Sequence, residues 1–136
     1  YFTTDYQRFL EDESIDIIVV CSPDHLHAEH AIAALRAGKH VLCEKPMTTS
    51  VQSCRDIVQA VDETGLTFMV SQFMRFESVY RSIKTIYDQG RIGSAFFVEG
   101  SYIHDMRPYY TPRTWRSDPE NPQNILIGAG AIPWIC

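Results

Sequence analysis

Glu44, Lys45 and Pro46 follow directly on the short apolar run His40, Val41, Leu42, Cys43. Two charges and a rigid ring at the end of a buried strand are an odd structural finish, because burying either charge unpaired is costly. The pair is therefore expected to be solvated or paired at a ligand site. The plainer reading is a solvated lysine at a strand end, paired with Glu44. Cys43, next to the charges, reads as inert packing, since no base neighbours it in a nucleophile pairing. His25, His27 and His30 lie close together beside Asp24 and invite a metal reading. Catalytic zinc takes three converging protein ligands, and His25 falls elsewhere on the expected helix, so no metal site is assigned. Segment 104–118 interleaves Arg107, Arg113 and Arg116 with Tyr109, Tyr110 and Trp115. Stacking on nucleobases is one use of such a mixture. Asp105 and Asp118 leave the segment nearly neutral, and a long polar connection beside a small-molecule cleft fits better.

These residues need elements to carry them. Residues 15–21, IDIIVVC, are short, β-branched and without alternation, which suggests a strand covered on both faces. A helix follows, with Asp24 as its cap, Ala31, Ile32 and Leu35 inward, and Gly38 as its stop. After the strand 40–43 comes a second helix, with Thr49 and Gln52 at capping-box spacing. Val51, Cys54, Val58 and Val61 form its expected inner face, and Gly65 ends it. Residues 66–72 read as a third strand. A further helix spans SVYRSIKTIYDQG, with Val79, Ile83, Ile86 and Tyr87 on one side. Residues 94–104 read as a longer strand in a different sheet. Strands alternating with helices of this length predict right-handed βαβ units and a parallel sheet. In such sheets ligands bind beyond the carboxyl ends of the strands. Ser22 and Pro23 lie at one such end, and Glu44, Lys45 and Pro46 at the next.

The 136 residues suit one domain, or one plus part of another. A net charge of −5 disfavours nucleic acid, whose binding rests on cationic neutralisation of phosphates. No run approaches the ~18 apolar residues of a membrane helix, and no leader is visible. The four cysteines form no CxxC pair, and Cys21 and Cys43 sit in apolar runs. Buried free thiols in a reducing cytoplasm are the expectation, in preference to a disulfide framework or a zinc site.

The stretch VVCSPDHLHAEHAIAALRAGKHVLCEKPMTTS closely resembles the glucose-fructose oxidoreductase, inositol dehydrogenase and rhizopine-catabolism family of NAD(P)-dependent oxidoreductases. AGKHVLCEKP is its most specific part. MVSQFMRF, DQGRIG and TWRSDPEN follow in the family's order. The resemblance implies an α/β fold: the carboxyl-terminal half of a Rossmann parallel sheet over residues 1–92. The start of an α/β domain with an open, mainly antiparallel sheet would follow over 93–136. It implies NAD or NADP as cofactor, with Ser22, Pro23, His27, Glu44, Lys45 and Pro46 lining the cofactor cleft. Lys45 is the implied catalytic residue, holding or polarising the substrate oxygen during hydride transfer. Arg75, Trp115 and Arg116 match positions on the substrate side. The resemblance also makes the Lys45–Pro46 bond a candidate cis peptide, a form that costs an X–Pro bond only ~0.5–1 kcal/mol over trans.

The family's glycine-rich turn and ribose-reading acid have no counterpart here, and no GxGxxG occurs. The turn GAGA, 128–131, leads into IPWIC, where the family has a helix bearing an Asp or His for proton transfer. The chain is accordingly expected to be an internal piece, inactive alone, of a cytoplasmic, homo-oligomeric dehydrogenase. Its expected partner is a small-molecule substrate (a sugar, cyclic polyol or related compound), with neither nucleic acid nor membrane. The alternative is a non-catalytic dinucleotide-binding sensor or regulator of the same fold.

Overall fold

A computed structural model of the chain describes residues 2–118 apart from 102, 106, 110, 111, 113 and 114. The chain divides into two units, Tyr1–Ser71 and Gln72–Cys136. In the first, α1 (Gln7–Glu11) leads into β1 (Ile17–Val20), followed by α2 (His27–Arg36), β2 (His40–Cys43), α3 (Val51–Thr64) and β3 (Phe68–Val70). The three strands form one parallel sheet in the order β1-β2-β3.

The two-residue period of a strand decides what this sheet buries. Ile18 and Val20, Val41 and Cys43, and Phe68 share the face that joins the core with Ala31, Ala34 and Leu35 of α2 and Ala60 of α3. Ala31, Ala34, Leu35 and Ala60 have no exposed surface. Alanine at three of those four positions keeps the side chains short where helix and sheet meet. The opposite face is open: Ile17 and Val19 are 59% and 58% exposed. The expectation of a strand covered on both faces is therefore corrected. In the described residues β1 is covered on one side only, by α2, and its burial alternates.

The AGKH turn between α2 and β2 is fixed residue by residue. Gly38 adopts φ 82°, which a Cβ would disfavour, and lets the helix end. Lys39 is buried and its Nζ donates to the Asp12 carbonyl at 2.8 Å, tying this turn to the α1–β1 connection. His40 Nδ1 accepts the Thr67 N–H at 2.9 Å, which sets the entry to β3.

Three helix expectations are shifted. Helix α2 is preceded by a 3-10 turn, Asp24–Leu26, so Asp24 sits buried a turn before the helix with Leu26 at its N-cap. The cap of α3 is Ser50, not Thr49: the Ser50 Oγ accepts the Ser53 N–H at 3.0 Å. The inner face of α3 is also rotated from the expected stripe. Ile57 and Ala60 are buried and Val61 packs on the core, whereas Val51 and Val58 are exposed. Gly65 ends the helix at φ 66°.

In the second unit a 3-10 turn, Phe73–Phe76, precedes α4 (Ser78–Asp88), and Gly90 follows at φ 67°. Val79, Ile83 and Tyr87 share an exposed apolar face. The strand expected over 94–104 is not formed, nor is an antiparallel sheet, among the described residues. A strand exists only where a neighbour completes its hydrogen-bond ladder. No described residue does so here, and Phe96, Val98 and Ile103 are almost fully exposed. No described helix is long and apolar enough to cross a membrane.

Candidate functional site

Parallel pairing sets the level at which the strands end. Val20 stands opposite Cys43, and the Glu44 N–H extends the ladder to the Val20 carbonyl at 2.9 Å. On the other side the Ser71 N–H reaches the Cys43 carbonyl at 2.7 Å. The turn Cys21–Pro23 and the turn Glu44–Pro46 consequently leave the sheet side by side.

Within the second turn, the Glu44 carboxylate folds back to accept the Lys45 N–H at 3.2 Å. Lys45 is half-buried, Pro46 is buried, and the peptide bond between them is cis. Cys43 has no exposed surface, and its Sγ lies 3.3 Å from the Glu44 carbonyl oxygen, whereas Cys21, expected to be buried like it, is exposed just past the end of β1. Burial first, then the Glu44 charge, pushes the Cys43 thiol up to about 12. A thiol held neutral in this way is a packing group, not a nucleophile.

The first turn is held from α2. His27, with 1% exposure, places Nε2 2.9 Å from the Ser22 carbonyl oxygen and Nδ1 2.7 Å from that of Pro46. One turn further along the helix, His30 Nδ1 lies 2.9 Å from the Ser22 Oγ. The His30 ring is tilted against Tyr6, with centroids 4.6 Å apart. A cleft of about 230 Å³, lined by Tyr6, Leu10, Val20, Cys21, Ser22 and His30 among others, adjoins this cluster.

Ser22, Pro23, His27, Glu44, Lys45 and Pro46 are thus brought together at the carboxyl ends of β1 and β2. His27 stands behind the two turns, with both ring nitrogens against backbone carbonyls. His30, considered from the sequence as a metal ligand, is half-buried and engages Ser22. Its spacing of three from His27 was the available signal, because residues three apart share a helix face. Among the described residues no group of three or more His, Cys, Asp or Glu side chains could hold a metal ion.

The expected substrate-side residues all lie in the second unit. Arg75 is exposed in the turn Phe73–Phe76. The Arg116 guanidinium stacks over the Trp115 ring at 4.2 Å from its centroid, a cation–π contact between neighbours in sequence. Arg107 is paired to Asp105 through two hydrogen bonds of 2.9 Å. Arg113, Tyr110, the GAGA turn and Cys136 lie outside the described residues.

Residues 2–72 match the family model described as an oxidoreductase family with an NAD-binding Rossmann fold. The chain belongs to this family, the Gfo/Idh/MocA oxidoreductases. It is 31% identical over 135 residues to levoglucosan dehydrogenase of Pseudarthrobacter phenanthrenivorans, covering 96% of this chain and 32% of that one. It is 41% identical over 90 residues to inositol 2-dehydrogenase 2 of Saccharopolyspora erythraea, covering 65% and 26%. Among solved structures, levoglucosan dehydrogenase in complex with NADH and levoglucosan superposes with a TM-score of 0.64 at 34% identity, over 67% of this chain and 24% of that one. Myo-inositol 2-dehydrogenase from Lactobacillus plantarum gives 0.64 at 30% identity, over 68% and 27%. The chain therefore spans between about a quarter and a third of the length of the relatives it matches.

Proposed function

We propose that the full gene product transfers hydride between NAD(P) and a CH–OH or C=O carbon of a sugar, cyclic polyol or related small molecule. The observation that carries this reading is the juxtaposition of the Ser22–Pro23 and Glu44–Pro46 turns at adjacent parallel strand ends, in a chain of an NAD-binding family. Two polar turns side by side at the carboxyl edge of such a sheet fit a dinucleotide's nicotinamide end. When bound, the cofactor supplies the hydride acceptor or donor; the protein's part is alignment, exclusion of water and handling of the hydroxyl proton.

In this reading Ser22 and Pro23 form one wall of the cofactor cleft and Glu44–Pro46 the other. Glu44 fixes the turn by accepting the Lys45 N–H. The Lys45 Nζ donates to the substrate oxygen, which stabilises the negative charge that builds there as hydride arrives at a C=O carbon and, in the other direction, the alkoxide-like oxygen from whose carbon hydride leaves. Arg75, Trp115 and Arg116 are proposed to serve the hydroxyl-rich substrate, the indole and guanidinium offering a stacking face and donors together. The relatives named levoglucosan and inositol dehydrogenases support a sugar or cyclic polyol as the substrate class.

The test is the absorbance of reduced nicotinamide on mixing the full gene product with NAD or NADP and a panel of sugars and cyclic polyols. Substrate-dependent reduction is the expected result. Cofactor binding with no turnover across the panel would favour the sensor of the same fold instead.

A further inference from the structure

We propose that His27 and His30, one turn apart on α2, are positioning residues that brace the two cleft turns against each other and so set the placement of Lys45. This inference rests on the proposed oxidoreductase reading only for its effect on turnover. His27 reaches the carbonyl of Pro46, the residue bonded to Lys45, at 2.7 Å, and the carbonyl of Ser22 at 2.9 Å. His30 reaches the Ser22 hydroxyl at 2.9 Å. The two turns are separated by about twenty residues of chain, yet both are anchored to a single helix across one turn of its length.

The chemistry of the contacts makes the pair more than packing. A carbonyl oxygen only accepts, so a neutral His27 ring donates to one of its two carbonyls and a doubly protonated ring to both. With the proton on Nδ1, His27 ties α2 to Pro46 while His30 ties α2 to Ser22. The link between the turns is then complete even with a neutral His27 ring. With both His27 nitrogens protonated, a second direct link is added. A rigid helix carrying both anchors is better suited to this than the turns alone, because backbone within a loop loses its geometry readily. The same two histidines therefore have their imidazoles committed to Ser22 and Pro46, which is the use the fold makes of a spacing that otherwise suggests a metal pair.

The experiment is residue-resolved amide hydrogen exchange on the full gene product and its His27→Phe variant. Phe fills the buried ring's space and has no nitrogen to donate. The expected result is exchange at Glu44 and Lys45 at least tenfold faster, with α3 unchanged, and kcat at saturating cofactor lowered about tenfold. His27→Gln, which restores an N–H donor, should return exchange at Lys45 toward the starting value. His30→Phe, on a half-buried site, should speed exchange at Ser22. Unchanged exchange at Lys45 in His27→Phe, or faster exchange only in step with α3, would overturn the proposal. If His27→Phe does not fold, His30→Phe decides: unchanged exchange at Ser22 overturns the brace. Exchange needs neither cofactor nor substrate. A protein that turns over nothing yet shows the Lys45 response would retire the oxidoreductase reading and leave the brace standing.

Discussion

Alkylation of Cys43 offers a sharp check on how the end of β2 is built. The side chain has no exposed surface, and burial followed by the Glu44 charge raises its thiol from 9.0 to about 12. Only the thiolate attacks an alkylating agent. At pH 9 a thiol of pKa 9.0 is half ionised, whereas one of pKa about 12 is ionised to ~0.1%, a depression of about 500-fold before steric exclusion is counted. The assay is iodoacetamide labelling of the native protein at pH 8 to 9, quenched over time and read by mass spectrometry. Exposed Cys21 should label within the first time points, and Cys43 should stay unmodified until urea is added. The same shift fixes a pH dependence. The unfolded thiol ionises from pH 9 upward while the folded one keeps its proton, so the unfolded state loses protons first and stability falls as pH rises from 9 toward 12. Glu44→Gln should narrow that window by removing the second cause. Native labelling of Cys43 at the pace of Cys21 would refute the reasoning, because it would mean the strand end beside Lys45 is open and its thiol reactive.

Other consequences concern the framework. Leu35, fully buried where α2 meets the sheet, should cost about 2–5 kcal/mol when truncated to Ala, read as a lowered denaturation midpoint at unchanged slope. Ser50→Ala removes the acceptor for the Ser53 N–H and should cost about 1 kcal/mol, while Thr49→Ala should cost less, since Ser50 is the cap.

The parallel α/β order was legible because its punctuation is local. A short β-branched run marks β1 and a short apolar run marks β2, and Gly38, Gly65 and Gly90 all take the positive φ that ends a helix. The cis Lys45–Pro46 bond was likewise foreseen from the family motif. Facing was harder to read. On α3 the apolar stripe of Val51, Cys54 and Val58 looks inward by hydrophobicity alone, yet Ile57 and Ala60 are the buried pair. Ala60 wins because a short side chain fits the space facing α2 and the sheet, a property of the partner surface that no local pattern carries. The strand expected over 94–104 has the right residues and no described partner, and β-propensity without a ladder decides nothing.

The candidate site shows the same division. Glu44, Lys45 and Pro46 could be placed at a strand end from sequence because the strand and the turn are contiguous. The contacts of His27 and His30 with Ser22 and Pro46 span up to 19 residues and required the helix to be laid on the sheet. A histidine at that spacing has several uses, as metal ligand, cofactor contact or brace. Only the position of the two carbonyls selects among them.

The most direct test of the central claim compares the full gene product with its Lys45→Ala variant. Cofactor affinity would be measured by titration of reduced nicotinamide fluorescence, and turnover by the reduced-nicotinamide absorbance with the best substrate found. Turnover should fall about 100-fold or more while the cofactor dissociation constant moves by less than about threefold, as expected for a group acting on the substrate oxygen in the transition state. Near-normal turnover in Lys45→Ala would rule out that role and leave Lys45 a solvated residue at the end of a strand.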